Sequence, residues 1–149
     1  MEHEDYMRQA LALAREAAEA GEVPVGCVIV RQGQVVGRGR NRREEKQHTQ
    51  SHAEMEAIRQ ANEYLGTWRL DECTLYVTLE PCPMCAGAIV MAELQSVYYG
   101  AADRTAGCAG SVYAIAEDPA FGKRVACMGG LLEDECQAVL DGFFGERRG

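Results

Sequence analysis

The chain has 149 residues, 47% of them hydrophobic and 26% charged. That fits one compact domain spanning residues 1–149 with a core that needs no disulfide staples, and it excludes a disordered segment or a mini-protein scaffold. No apolar run approaches the ~20 residues that span a bilayer, so a soluble, cytoplasmic protein with no membrane partner is expected. The net charge of −8 argues against an indiscriminate phosphate-binding surface but not against a local one. Arg31, Arg38, Arg40, Arg42, Arg43 and Lys46 crowd one short stretch, and Arg147 and Arg148 stand together near the end.

Met7, Ala10, Leu11, Ala14, Ala17 and Ala18 recur at helical spacing, which predicts a first helix over about 4–20 that Gly21 stops. The β-branched runs 25–30 and 35–39 meet at Arg31-Gln32-Gly33-Gln34 and predict a hairpin. Residues 40–51 are polar and irregular, and Ser51, with Glu54 three residues on, is the expected cap of a second helix. Thr74 to Leu79 is strand-like, and Pro83 near the first turn of the segment 84–94 makes that segment a helix. A strand over 97–100 follows, then a Gly-rich loop over 101–122 with at most a short helix near 111–117, a last strand over 124–128, and a final helix with Leu132, Cys136, Val139, Leu140, Phe143 and Phe144 on its apolar stripe. A helix, a hairpin and then helix–strand alternation describe a three-layer α/β/α sandwich around a mixed sheet of five strands, its C-terminal crossovers parallel.

Seven cysteines are an odd number for a disulfide framework, and burial accounts for Cys27, Cys73, Cys108, Cys127 and Cys136. Cys82 and Cys85 differ. Spaced i, i+3 at the start of a helix, their sulfurs share one face, where the helix dipole favours the thiolates that zinc requires. His52, opening another helix, adds an imidazole nitrogen. Two thiolates and one imidazole leave the fourth tetrahedral position of a zinc ion open, the catalytic rather than the structural arrangement. Glu54 lies two residues beyond His52 and so points away from the ligand set, placed to move protons beside the ion rather than to bind it. That combination suits hydrolytic deamination. Taken singly, Cys-x-x-Cys also fits a redox pair or half of a structural zinc site, and His-x-Glu also fits a helix cap.

His52-Ala53-Glu54 followed by Pro81-Cys82-Pro83-Met84-Cys85 resembles the signature of the zinc-dependent nucleobase deaminases. The likeness extends through Glu22-Val23-Pro24-Val25-Gly26, Gly39-Arg40-Asn41-Arg42, Thr78-Leu79-Glu80, Gly107-Cys108-Ala109-Gly110-Ser111 and Asp141-Gly142-Phe143-Phe144, and within the superfamily it is to the bacterial tRNA-specific adenosine deaminases. The resemblance implies a cytidine deaminase-like fold and one Zn²⁺ per subunit, held by His52, Cys82 and Cys85, with Glu54 as proton shuttle. It further implies Asn41, Val25, Ala53 (through its backbone) and Asp103 as nucleotide-binding positions. The substrate implied is the wobble adenosine of a tRNA anticodon loop, converted to inosine by a homodimer. Arg40, Arg42, Lys123, Phe144, Arg147 and Arg148 are the candidate RNA contacts. Gly122-Lys123 stands where the family usually has Asn-His, and relatives with the same core deaminate free bases such as guanine or cytosine, which is the alternative substrate reading.

Overall fold

The computed structural model describes residues 2–122 and 124–148, with side chains described as far as Gly145. Helix α1 (His3–Glu19) buries Tyr6, Met7, Ala10, Leu11, Ala14 and Ala17, the predicted stripe with Tyr6 added and with Ala18 only half-buried. Its start is closed by a reciprocal cap in which Glu2 accepts from the Asp5 backbone and the Asp5 carboxylate accepts from the Glu2 N–H at 3.0 Å.

Strands β1 (Gly26–Arg31), β2 (Gln34–Arg40), β3 (Cys73–Leu79), β4 (Ser96–Ala101) and β5 (Ala126–Met128) form one sheet in the order β2-β1-β3-β4-β5. β1 runs antiparallel to both β2 and β3, whereas the β3–β4 and β4–β5 pairs are parallel. The antiparallel hairpin closes through Gln32 and Gly33, both at positive φ (51° and 77°), the conformation that matches a tight turn to strand twist. Parallel pairing of β3 with β4 requires the crossover helix α4 (Pro83–Met91) between them.

Each face of the sheet is covered. Cys27 and Ile29 of β1 join Leu75 and Val77 of β3 against α3 (Ala53–Leu65) and against Ile89 of α4. Val28 and Val30, pointing the other way, meet Tyr6 and Tyr76 on the α1 side, where Met7 and Leu11 also pack against Cys136 and Leu140 of α5 (Glu133–Arg148). Alternation along β1 therefore places apolar atoms in both layers, and the three-layer architecture with a mixed sheet of five strands agrees with the sequence expectation. Helix α3 lies unusually low on the sheet edge. A methyl group at Gly37 or Gly39 of β2 would overlap the carbonyl oxygens of Ala57 and Ala53 respectively, and Ala53, Ala57 and Ala61 present the helix's smallest side chains to that contact.

Four local expectations change. The N-cap of α3 is His52, in extended conformation (φ −83°, ψ 157°), and not Ser51, whose carbonyl is taken by the Arg42 N–H at 2.9 Å. Residues 111–117 form turns and no helix; the only helical turn of that loop is a 3₁₀ segment at Pro119–Phe121, started by Pro119 and by Asp118, which accepts from the Ala120 N–H at 2.9 Å. The polar stretch 40–51 contains one helical turn, α2 (Arg43–Lys46), because the buried Glu22 carboxylate accepts the backbone N–H groups of Glu44 (3.1 Å) and Glu45 (2.7 Å). The last strand begins at Ala126 rather than at 124.

Candidate active site

The parallel pair β3–β4 opens a crevice at its carboxyl ends, the usual ligand position in an open α/β sheet. β3 leads into Glu80-Pro81-Cys82 and β4 into the loop that carries Asp103, while the start of β1 brings Val25 to the same rim. Two helix N-termini point into this crevice: His52 is the N-cap of α3, and Cys82 is the N-cap of α4 with Pro83 at its first position. Pro83 fits there because its missing N–H would have had no partner in the helix and its fixed φ suits a first turn. Cys85, one turn in, is fully buried.

The fold brings the three sequence-predicted ligands together. His52 Nδ1 lies 3.5 Å from Cys82 Sγ and 3.6 Å from Cys85 Sγ. One donor atom from each of the three falls within a 4.8 Å span, and they form the only His/Cys/Asp/Glu group of this kind among the described residues. Cys27, Cys73 and Cys108 stay outside the group, and all seven cysteines are free thiols. Hydrogen bonding from the Cys85 thiol, with help from His52 and against the cost of burial, lowers the Cys82 thiol to about 4. Sharing that hydrogen bond and being buried raises Cys85. Contact with Cys82 raises the His52 imidazole, while burial opposes the shift. One thiolate held by a neighbouring thiol and an imidazole is a donor set that a divalent cation completes by displacing protons, and two sulfurs with one nitrogen select zinc-type ions.

Glu54 occupies the first turn of α3 at 4% exposure, and burial pushes its carboxyl up to about 7. It lines a cleft of about 230 Å³ together with His52 and Cys82. Asn41, Val25, Ala53 and Asp103 line the same cleft. Asn41 is 7% exposed; its Nδ2 donates to the Val23 carbonyl at 3.4 Å, and its Oδ1 is buried without a partner among the described residues. An orphaned buried acceptor is costly unless something else satisfies it. A larger, more open hollow of about 600 Å³ lies at the opposite end of β1 and β3, between His3, Tyr6, Gln32 and Glu72, and contains none of the clustered donors.

Arg40 and Arg42 lie outside the cleft, on a second hollow of about 450 Å³ shared with Arg38, Lys46 and Arg59. Glu45 bridges Arg40 (2.9 Å) and Arg42 (2.7 Å), and Glu56 bridges Lys46 (2.8 Å) and Arg59 (2.7 Å), so each carboxylate serves two cations. Phe144 is 40% exposed and packs edge-on against the buried Phe143. Lys123 and the side chains of Arg147 and Arg148 lie outside the described residues.

The motifs single out neither Glu22 nor Glu80, each buried to 2% exposure or less. Glu22 anchors α2 beside Asn41. Glu80 accepts hydrogen bonds from the loop that carries Asp103. Their only signal is a place inside two of the segments that carry the family resemblance, Glu22-Val23-Pro24 and Thr78-Leu79-Glu80, where no role attaches to either acid.

Comparison with known proteins gives a consistent set. The family model of the MafB19-like deaminases matches residues 1–147. A tRNA-specific adenosine deaminase of Bacillus subtilis is 46% identical over 96% of this chain and 89% of its own. A structure solved in a study of A-to-I editing by tRNA:A34 deaminases at the wobble position of transfer RNA superposes with a TM-score of 0.88 at 42% identity, covering 91% of this chain and 99% of that one. The guanine deaminase of Bacillus subtilis, also 42% identical, covers only 68% of this chain with a TM-score of 0.66.

Proposed function

Because the chain belongs to the tRNA-specific adenosine deaminases, a branch of the MafB19-like deaminase family, we propose that it hydrolyses the wobble adenosine of a tRNA anticodon to inosine. Water adds at the amino-bearing ring carbon and ammonia leaves. The observation that carries this reading is the juxtaposition of the buried Glu54, the His52–Cys82–Cys85 donor set and the unpartnered Asn41 Oδ1 on one base-sized cleft.

His52, Cys82 and Cys85 would hold one zinc ion per subunit. When bound, zinc supplies a water of lowered pKa and stabilises developing negative charge. The chain's own part falls to Glu54. With its proton affinity near neutrality, the carboxyl takes a proton from the attacking water and returns protons to the ring nitrogen and then to the leaving amine. Asn41 Oδ1 accepts a hydrogen bond from the nucleotide, Val25 supplies an apolar wall, Ala53 contributes backbone, and Asp103 stands on the loop side.

Outside the cleft, the cations that share Glu45 and Glu56 leave a positive excess for phosphates, and Arg40 and Arg42 belong to it. The exposed Phe144 offers a stacking face, and Lys123, Arg147 and Arg148 complete the candidate contacts. The apolar character of α4 supports assembly as a homodimer: the helix has no charged residue, yet Met84 is only half-buried and Met91 is 77% exposed. Such a helix is normally covered on all sides. The setting is cytoplasmic, where tRNA is processed; among the described residues no helix is long and apolar enough to cross a membrane.

An anticodon stem-loop with adenosine at the wobble position is expected to yield inosine and ammonia, and the same loop with guanosine there to yield nothing. Binding should weaken steeply as salt rises, as phosphate contacts require. Turnover of free guanine or cytosine with no inosine in any stem-loop would overturn the reading.

A further inference from the structure

We propose that Glu80 is a positioning residue for the nucleotide: its carboxylate holds the loop 103–111 in the shape that makes one wall of the cleft, and so sets substrate affinity without taking part in the chemistry. This rests on the reading of the cleft as a nucleotide site.

A side chain more than twenty residues away in sequence organises that loop. Glu80 Oε1 accepts the Asp103 N–H at 3.0 Å and the Ser111 hydroxyl, while Oε2 accepts the N–H groups of Ala109 (3.0 Å) and Ser111 (2.9 Å). Both carboxylate oxygens are thus used, and the donors come from both ends of the loop. Gly107, midway, lies so close over the carboxylate that a methyl group there would overlap both Glu80 and the Asp103 carbonyl. The loop is therefore wrapped around the carboxylate.

What the wrapping presents to the cleft is Asp103 and Ala106, which both line it. Asp103 Oδ1 is occupied within the loop by the N–H and hydroxyl of Thr105 and the N–H of Ala106, leaving Oδ2 without a hydrogen bond from the described residues and available to a ligand. The same loop is tied to the other wall. The Cys108 N–H donates to the Pro81 carbonyl at 2.7 Å, and Glu80 and Pro81 directly precede Cys82, the N-cap of α4. Glu80, itself on the rim of the cleft, therefore fixes the substrate-facing loop relative to the donor set, and both of its oxygens are engaged by that loop. A group with this placement changes binding, and through binding KM, more than turnover.

Substitution Glu80→Gln keeps the shape but replaces one acceptor by an NH₂ group that faces two donors. In the zinc-loaded protein, KM for the adenosine stem-loop is expected to rise by about tenfold or more, as loss of charge-assisted hydrogen bonds implies, with kcat and zinc content close to the parent. Hydrogen exchange, which needs no substrate, is expected to speed up at the amides of Asp103, Ala109 and Ser111 and not in α3. Gly107→Ala attacks the same contact from the loop side, keeps Glu80 intact and is expected to give the same KM rise. Combining the two changes should add little to either alone, since both break one unit. Unchanged exchange at the three amides in a folded Glu80→Gln protein, or a fall in kcat with KM unmoved, overturns the proposal. Absence of inosine with the parent protein instead counts against the nucleotide reading, and the exchange measurement still decides the role of the carboxylate.

Discussion

Of the three carboxylates that border the cleft, the two glutamates have opposite surroundings. Glu54, on the helical floor, is buried without enough donors to keep it charged, so burial pushes its carboxyl up to about 7. Glu80, under the irregular wall, is as little exposed; burial opposes its charge too, but hydrogen bonds from Ser111, Asp103 and Ala109 outweigh it and hold the carboxyl below the usual range. The regular elements therefore carry the carboxyl whose burial outweighs its hydrogen bonds, and the loop carries the one whose hydrogen bonds outweigh burial. The difference separates moving a proton, which requires an acid whose two states are close in energy, from holding a shape, which requires a charge fixed in one state.

The sharpest way to break this division is through the floor. Cys85→Ala removes one of three protein donors and is expected to abolish both zinc binding, measured as metal per chain, and deamination. Retained zinc would show that the donor set is assigned wrongly. Next in size, Glu54→Ala is expected to keep its zinc and its melting temperature yet lose roughly 10²–10⁴-fold in kcat, the range for a general acid–base group. Loss of the metal in that variant would make Glu54 a ligand and erase the contrast with Glu80. The smallest effect belongs to the wall. Ser111→Ala removes one of the four donors on Glu80 and is expected to cost about 1 kcal/mol, a fall of roughly 2–4 °C in melting temperature by calorimetry, with kcat unchanged. A kcat effect as large as that of Glu54→Ala would end the separation of the two roles.

The floor was legible in the sequence because its information is local. Cys82 and Cys85 at i, i+3 with Pro83 between them, and His52 two residues before Glu54, announce helix starts and donor types within a few residues. The strands were legible for the same reason, since alternating or continuous β-branched runs carry their own period. The wall was not. Residues 102–110 have no periodicity, and their conformation is imposed by Glu80, whose partners lie 23, 29 and 31 positions away. Ser51 misled for a related reason: it has the composition of a cap, but its carbonyl is tied to Arg42, and the chain enters α3 one residue later, which leaves the cap position to His52. Glu54, read from spacing as a proton carrier, acquires its raised proton affinity only from tertiary burial.

The two glycines of β2 reach further than the sheet edge they occupy. Gly39 lies directly beneath the first turn of α3, against the Ala53 carbonyl and the Ala57 nitrogen, so the height of that helix above the sheet is set by a hydrogen atom. His52 and Glu54 ride on that turn, whereas Cys82 and Cys85 ride on another helix. The edge strand thus acts as a shim between two halves of one donor set. One added methyl at position 39 would thicken it and part the halves, making a residue with no side chain and no view of the cleft a determinant of whether the His52–Cys82–Cys85 donor set closes, as metal content of Gly39→Ala would register.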